Sequence, residues 1–188
     1  MFHADTLDAA LRELGAVLAA EGQQAELVVI GGGALLLLGL TARITEDCDI
    51  VAVIEDADLR TAKPLPPAIA EAAVRVARAR ELAEDWLNPG PTDLLRHGLP
   101  DGFMDRAHRR DYGPLTLFIA DRLDQIHFKL FATSRPDDKH ARDLYALRPT
   151  RDELEQAAAW GHARSAHGYS SEIAQAMEHF AQEASGRE

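Results

Sequence analysis

The sequence predicts an α+β protein in which a small mixed sheet is flanked by helices and followed by a helical C-terminal portion. Two observations predict this class. Apolar runs of strand length, rich in β-branched residues, lie at residues 26–30, 48–54 and 115–120. Between and after these runs, apolar side chains recur at helical spacing. We therefore expect a sheet-containing core over residues 1–120 and a helical portion over residues 121–188 that packs on the core.

The first part of the chain alternates helix and strand. The spacing of apolar residues predicts a helix over residues 5–20 that is capped by Asp5 or Thr6. The strand at 26–30 is followed by three glycines and by a leucine run that is too short for a long helix. The near-continuous apolar run at 48–54 predicts a strand that is buried on both faces.

The second part of the chain becomes increasingly helical. A cluster of prolines opens a helix over residues 68–84, because proline is tolerated in the first turn. The segment that follows is rich in turn formers, and we interpret residues 103–109 within it as a strand. After the strand at 115–120, the apolar spacing predicts helices at residues 121–132, 137–147, 151–162 and 170–184.

Composition excludes several classes of protein. The chain has 188 residues, of which 46% are hydrophobic, and this suits one globular domain. Its formal net charge of −11 excludes a basic surface for nucleic acid over the whole protein. The single cysteine, Cys48, excludes an intramolecular disulfide and fits a reducing compartment. Because neither a membrane-spanning stretch nor a signal-peptide pattern is found, we expect a cytoplasmic protein without a membrane partner.

Three consecutive glycines follow the first predicted strand. Gly31, Gly32 and Gly33 let the backbone approach a ligand closely, and they expose N–H groups of the kind that hold phosphates. The stretch lacks the Gly-Lys-Ser/Thr of a Walker A loop and the third glycine of a Rossmann fingerprint. Taken alone, the glycines indicate either a phosphate-binding turn or an ordinary turn.

Two aspartates, separated by one residue, lie at the start of the second apolar run. Residues i and i+2 of a strand point to the same side, so Asp47 and Asp49 place their carboxylates together. Two close negative charges beside an apolar core favour a bound cation. Mg²⁺ fits because it takes carboxylate and phosphate oxygens together. The alternative is a solvated pair of carboxylates at the edge of a strand.

The order of these motifs carries a resemblance to a known superfamily. Gly32-Gly33, followed after thirteen residues by Asp47-Cys48-Asp49, resembles the nucleotidyltransferase signature of the polymerase-β-like superfamily. The fuller pattern Gly-Gly-x-Ala with Arg43-x-Thr45-x-Asp47-x-Asp49 resembles small bacterial nucleotidyltransferases related to abortive-infection (AbiEii-like) toxins. Further motifs of that group are matched by Asp85-Trp86-Leu87-Asn88, by Lys129 and by the segment containing Lys139 and Asp143.

The resemblance implies a fold and an activity. It implies the minimal nucleotidyltransferase fold and transfer of a nucleoside monophosphate from a nucleoside triphosphate to an acceptor, which is a tRNA, a protein hydroxyl or a small molecule. Mg²⁺ is the implied cofactor. An RNA or protein acceptor and, in a toxin–antitoxin pair, a cognate regulatory protein are the implied partners.

The resemblance also assigns roles to residues. Asp47 and Asp49 become the catalytic metal ligands, and Lys129 a catalytic cation beside the phosphates. Nucleotide contacts are assigned to Gly32, Gly33, Arg43, Thr45, Lys139 and Asp143. We expect the Lys129 ammonium to face the two aspartates, and Lys129→Ala to leave the melting temperature nearly unchanged. Without the family motif, Lys139 and Asp143 would be a surface ion pair at i,i+4 spacing.

One departure from the family pattern leaves an alternative function open. Other members place a third carboxylate on a later strand, and the predicted strand at 115–120 carries none. Asp121 is better explained as a helix cap, which leaves Asp85 and Asp105 as substitutes. The alternative is therefore a catalytically inactive nucleotide-binding or interaction protein that retains the fold. The basic run at 106–110 is either an RNA contact or a solvated strand edge.

Overall fold

A computed structural model describes residues 1–133 and 138–164 of the chain. The chain divides into two compact units, Met1–Asp121 and a second unit that begins at Arg122. All strands of the described chain lie in the first unit, and the described part of the second unit is helical. The helix predicted at 170–184 lies outside the described residues.

Six strands and eight α-helices are formed by the described residues. The strands are β1 (Ala25–Ile30), β2 (Cys48–Glu55), β3 (Asp58–Thr61), β4 (Leu87–Asn88), β5 (His108–Tyr112) and β6 (Leu115–Ile119). The helices are α1 (Ala4–Ala20), α2 (Gly31–Leu37), α3 (Pro67–Arg80), α4 (Asp93–His97), α5 (Phe103–Arg106), α6 (Arg122–Ala132), α7 (Lys139–Ala146) and α8 (Arg151–His162). A short 3₁₀ turn at Gly90–Thr92 precedes α4.

The sheet is mixed, with the strand order β3-β2-β1-β6-β5 and β4 paired to the start of β2. β1 runs antiparallel to β2 and parallel to β6. The apolar runs of these three strands supply a large part of the buried core, as their sequence patterns predict. A small mixed sheet with flanking helices confirms the predicted fold class, the minimal nucleotidyltransferase fold.

Helix α1 contributes one side of the core of the first unit. Its buried residues recur at helical spacing, and the helix packs on α3 and α2. It also approaches β5 closely at Gly15, where a Cβ would overlap the carbonyl oxygen of Tyr112. The start of the helix differs by one residue from the prediction, because His3 is its N-cap and Thr6 completes a capping box with it.

Two predicted elements are corrected by the structure. Residues 103–109 do not form one strand: Phe103–Arg106 is a helical turn, and strand β5 begins at His108. Strand β5 forms a hairpin with β6 around Gly113, whose φ of +66° suits glycine. Helix α3 ends at Arg80 and not at 84, because Glu81 adopts a left-handed φ of 54°.

The described part of the second unit is built on α6, which packs against α7 and α8. The ring of Trp160 on α8 meets Phe128 and Phe131 of α6 edge-on. Arg122, the first residue of α6, donates to the carbonyl of Leu147 and to the carboxylate of Glu153. No helix in the described part of the chain is long and apolar enough to cross a membrane.

Candidate active site

The two aspartates lie where β1 and β2 meet. The register of this antiparallel pair places Asp49 opposite Ile30, the last residue of β1. The chain then turns directly into α2 at Gly31, whose φ is +73°. A Cβ at Gly31 would overlap Asp49 Oδ2. Both the backbone conformation and the space beside the carboxylate therefore require glycine at this position.

The next two glycines face the segment that leads into β2. A Cβ at Gly32 would lie 2.8 Å from Thr45 Oγ1 and 3.5 Å from an Arg43 guanidinium nitrogen. A Cβ at Gly33 would lie 3.2 Å from the Cα of Cys48. The structure thus brings the predicted glycine turn together with Arg43 and Thr45, and with the two aspartates.

The segment before the aspartates is held by the N-terminus of the chain. Phe2 and Thr45 form a two-way backbone bridge, with N···O distances of 2.6 and 3.1 Å. The Thr45 hydroxyl lies 3.5 Å from Asp47 Oδ1. The fully buried ring of Phe2 packs against Trp86, with 5.7 Å between the ring centroids. Local sequence patterns contain no sign of this long-range support.

Asn88 joins the site although the sequence analysis assigned it no role. Strand β4 runs parallel to the start of β2 and pairs Asn88 with Asp49. The Asn88 amide nitrogen donates to Asp49 Oδ1 at 2.8 Å and to Asp47 Oδ2 at 3.2 Å. The motif Trp86-Leu87-Asn88 could have pointed to Asn88, since it is one of the motifs that carry the family resemblance.

Trp86 fixes this strand to the core. Its side chain is fully buried, and its indole N–H donates to the carbonyl of Ala73 on α3 at 3.0 Å. Its own carbonyl accepts from the backbone N–H of Cys48 at 2.7 Å. Trp86 is therefore a core residue, as its size and apolar surroundings favour.

The donor set at Asp47 and Asp49 fits a hard divalent cation. Both side chains are partly exposed, and their oxygens are close enough to share one amide donor. Among residues 1–133 and 138–164, no group of three or more His, Cys, Asp or Glu side chains could hold a metal ion. A pair of neighbouring carboxylates is compatible with Mg²⁺, which is usually bound by one or two carboxylates together with water and substrate phosphates.

Cys48 lies between the two aspartates in sequence but is unsuited to nucleophilic chemistry. Its side chain is buried, and burial raises the pKa of the thiol well above its ordinary value, with the charges of Asp49 and Asp47 adding to the shift. The thiolate is the reactive form, so this cysteine is an inert core residue.

Lys129 and Asp143 form a buried ion pair within the second unit. The Lys129 ammonium donates to Asp143 Oδ2 at 2.6 Å, and the two side chains are only 7% and 1% exposed. The i,i+4 spacing of Lys139 and Asp143 would predict an ion pair at the surface. That prediction is wrong, because Asp143 is buried against Lys129 whereas Lys139 is exposed. The position of Lys129 relative to Asp47 and Asp49 stays a prediction.

The basic run has partners within the first unit. His108 contacts Asp121 at 2.9 Å, and Arg109 pairs with Asp111 at 3.1 Å. Arg110 donates to the carbonyl of Leu37 at the end of α2 at 2.8 Å. These contacts favour the interpretation of the run as a solvated strand edge. The carboxylate of Asp121, which was predicted to cap a helix, is the partner of the His108 ring in this contact.

The mixed sheet presents a glycine turn and two aspartates at one end, which is the arrangement expected from the nucleotidyltransferase resemblance. Residues 5–146 match the family described as "Nucleotidyltransferase of unknown function (DUF6036)". The match spans well over half of the chain, so the chain belongs to this family. Neither a curated protein nor a solved structure matches the chain.

Proposed function

We propose that the chain is a Mg²⁺-dependent nucleotidyltransferase that moves a nucleoside monophosphate from a nucleoside triphosphate to an acceptor. One observation carries the proposal: Asp47 and Asp49 present adjacent carboxylates beside a glycine turn in which a Cβ would fill the space at Asp49. Membership of a nucleotidyltransferase family supports it.

Each residue of the site has a defined task in this reaction. Asp47 and Asp49 would hold Mg²⁺, which supplies charge stabilisation to the phosphates when bound. The glycine at position 31 leaves the Asp49 carboxylate uncovered on that side, where a Cβ would overlap its Oδ2. Arg43 lies beside Gly32, where its guanidinium would contact a phosphate oxygen.

Lys129 is the proposed phosphate cation of this reaction, as the resemblance implies. Its ammonium is paired with Asp143 at 2.6 Å and the side chain is only 7% exposed, so this role requires the ammonium to exchange Asp143 for a phosphate oxygen. Lys139 is exposed at the start of α7 and would be a further phosphate contact. The proposal extends to an AbiEii-like cytoplasmic toxin, with a tRNA or protein acceptor and a cognate regulatory protein.

A second candidate is a nucleotide-binding or interaction protein without catalysis. It is favoured by the absence, in the described part of the chain, of a third acidic side chain, histidine or cysteine that joins the two aspartates in a metal-holding group. Asp85 and Asp105, the substitutes named above, are both exposed. Without such a group, no side chain is identified as the base that activates the acceptor hydroxyl.

Transfer and binding assays separate the two candidates. The protein is incubated with each nucleoside triphosphate, Mg²⁺ and either total tRNA or a protein extract, and the products are analysed by mass spectrometry. A nucleotide mass added by the wild type but not by Asp49→Asn supports the enzyme. Mg²⁺-dependent triphosphate binding without any transfer supports the inactive alternative. Equal triphosphate affinity with and without Mg²⁺, in wild type and Asp49→Asn alike, would contradict the Mg²⁺ site at Asp47 and Asp49 and with it the proposed enzyme.

A further inference from the structure

We propose that Asn88 is the positioning residue of the two-aspartate site. In this proposal its amide nitrogen holds the carboxylates of Asp47 and Asp49 together before a cation binds. The inference rests on the proposed function in one respect, namely that the two aspartates receive a divalent cation. It goes further because it assigns a role to a residue outside the expected ligand set.

The first argument is the position of the amide nitrogen. It donates one hydrogen bond to each carboxylate, at 2.8 Å to Asp49 and at 3.2 Å to Asp47. An amide N–H₂ group has two hydrogens, so one group satisfies both acceptors. The partial positive charge of this group therefore lies between two like charges, where it offsets their repulsion.

The second argument is that the orientation of the amide is fixed. Its oxygen accepts a hydrogen bond from the backbone N–H of Gly90 at 2.9 Å. A flipped amide would place its oxygen against two carboxylates and its N–H₂ group against an N–H donor, so the hydrogen-bond network permits only the orientation described. A Cβ at Gly90 would lie 2.9 Å from the Asn88 amide oxygen, so glycine provides the room for this bond.

The third argument is that the backbone of Asn88 is held independently of its side chain. The pairing of β4 with β2 places Asn88 beside Asp49, and the buried Trp86 anchors the strand two residues earlier. A change of the Asn88 side chain therefore alters the groups that face the carboxylates without displacing the strand.

The choice of amide over carboxylate has a physical consequence. An aspartate at position 88 would still accept from Gly90 but would bring a third negative charge to Asp47 and Asp49. That charge would destabilise the cation-free site and strengthen the binding of a divalent ion, because the number of charged ligands helps to set cation affinity. Asn88 thus favours a stable cation-free site over tight metal binding.

Asn88→Asp tests this assignment, because it keeps the acceptor for Gly90, removes the donor to the two carboxylates and puts a negative charge in its place. The probe is Mn²⁺ alone, without nucleotide. We expect the variant to melt below the wild type in EDTA and to bind Mn²⁺ about tenfold more tightly by electron paramagnetic resonance titration. Mn²⁺ should then raise its melting temperature more than it raises that of the wild type.

Two controls make the result specific. Gln23→Glu adds the same charge at an exposed position before β1, at the opposite end of that strand from the site, and should change neither quantity. In an Asp49→Asn background, Asn88→Asp should lose most of its destabilising effect in EDTA, because one of the two repelling charges is gone.

The assignment is overturned if Asn88→Asp equals the wild type in both melting temperature and Mn²⁺ affinity. It is also overturned if the loss in EDTA persists undiminished with Asp49→Asn, since repulsion from the Asp49 carboxylate would then not be its cause. No nucleotide is present in these measurements, so failure of the transfer assay would refute the enzyme activity and leave this test unaffected.

Discussion

The lack of a side chain at Gly31 leaves room for the Asp49 carboxylate in its observed position. We predict that Gly31→Ala abolishes Mg²⁺-dependent triphosphate binding, because the new Cβ overlaps Asp49 Oδ2. The left-handed φ of +73° adds a loss of about 1–3 kcal/mol in the free energy of unfolding. Isothermal titration and urea unfolding measure the two effects.

Gly22 offers a matched control for this substitution. Its φ of +64° is similar, but a Cβ there has nothing within 4 Å. Gly22→Ala should therefore lose a comparable amount of stability, about 1–2 kcal/mol, and keep triphosphate binding. If both variants retain binding, the space beside Asp49 is not required for the site.

Lys129 has a structural task that its sequence context does not reveal. The expectation that Lys129→Ala leaves the melting temperature unchanged conflicts with the buried pair formed with Asp143. Loss of the ammonium removes the partner of a carboxylate that is only 1% exposed, so we now predict a loss of about 3–5 kcal/mol in the free energy of unfolding.

Chemical denaturation of Lys129→Ala and of Lys139→Ala tests this prediction. Lys139 is exposed, and its removal should change stability by less than about 0.5 kcal/mol. A wild-type unfolding midpoint for Lys129→Ala would show that the buried pair contributes nothing. Any loss of transfer activity must be compared at a temperature at which both variants remain folded.

At the scale of the elements, the backbone bridge between Phe2 and Thr45 ties the N-terminus of the chain to the segment that carries the aspartates. Phe2→Ala should cost about 3–5 kcal/mol, because a fully buried ring that packs on Trp86 is lost. It should also weaken triphosphate binding, since the bridge to Thr45 holds the chain just before Asp47. Phe2→Leu, which retains most of the volume, should recover much of both losses; equal defects in the two variants would contradict this packing argument.

The sequence patterns predicted the elements that bury a continuous apolar surface. Strands β1, β2 and β6 were found in this way. The carboxylates of Asp47 and Asp49 do lie together, but Asp47 precedes β2, which begins at Cys48, so the two aspartates are not both on the strand. Strand β4 has two residues, too few for any periodicity, and β3 is mostly exposed and polar. Asn88 was therefore missed as a site residue although its motif had been noticed.

Contacts between distant parts of the chain were the other source of error. The ion pair of Lys129 and Asp143 joins two helices, whereas local spacing drew attention to Lys139 and Asp143 on one helix. The bridge between Phe2 and Thr45 is set by the tertiary fold alone. Helix and strand periodicity reports which face of an element is buried, and it carries no information on which partner that face meets.

At the scale of the whole molecule, one histidine of the second unit makes stability depend on pH. In the second unit, burial lowers the pKa of His140 below its ordinary value of 6.5, and the charges of Lys129 and Lys139 lower it further. Asp138 and Asp143 act in the opposite direction without reversing the shift. The folded second unit therefore favours neutral His140, whereas the unfolded chain takes up a proton more readily.

This difference predicts acid sensitivity of the second unit. Because the folded pKa of His140 is lowered, its contribution to stability is present above pH 6.5 and is lost as the pH falls through the folded pKa. The free energy of unfolding should therefore fall as the pH is lowered from about 7.5 through the folded pKa of His140, and His140→Gln should remove most of that fall. Urea unfolding across this range, followed by the fluorescence of Trp160 in a Trp86→Phe background, reports on the second unit. A slope that is identical in the two proteins would show that other groups control the pH dependence.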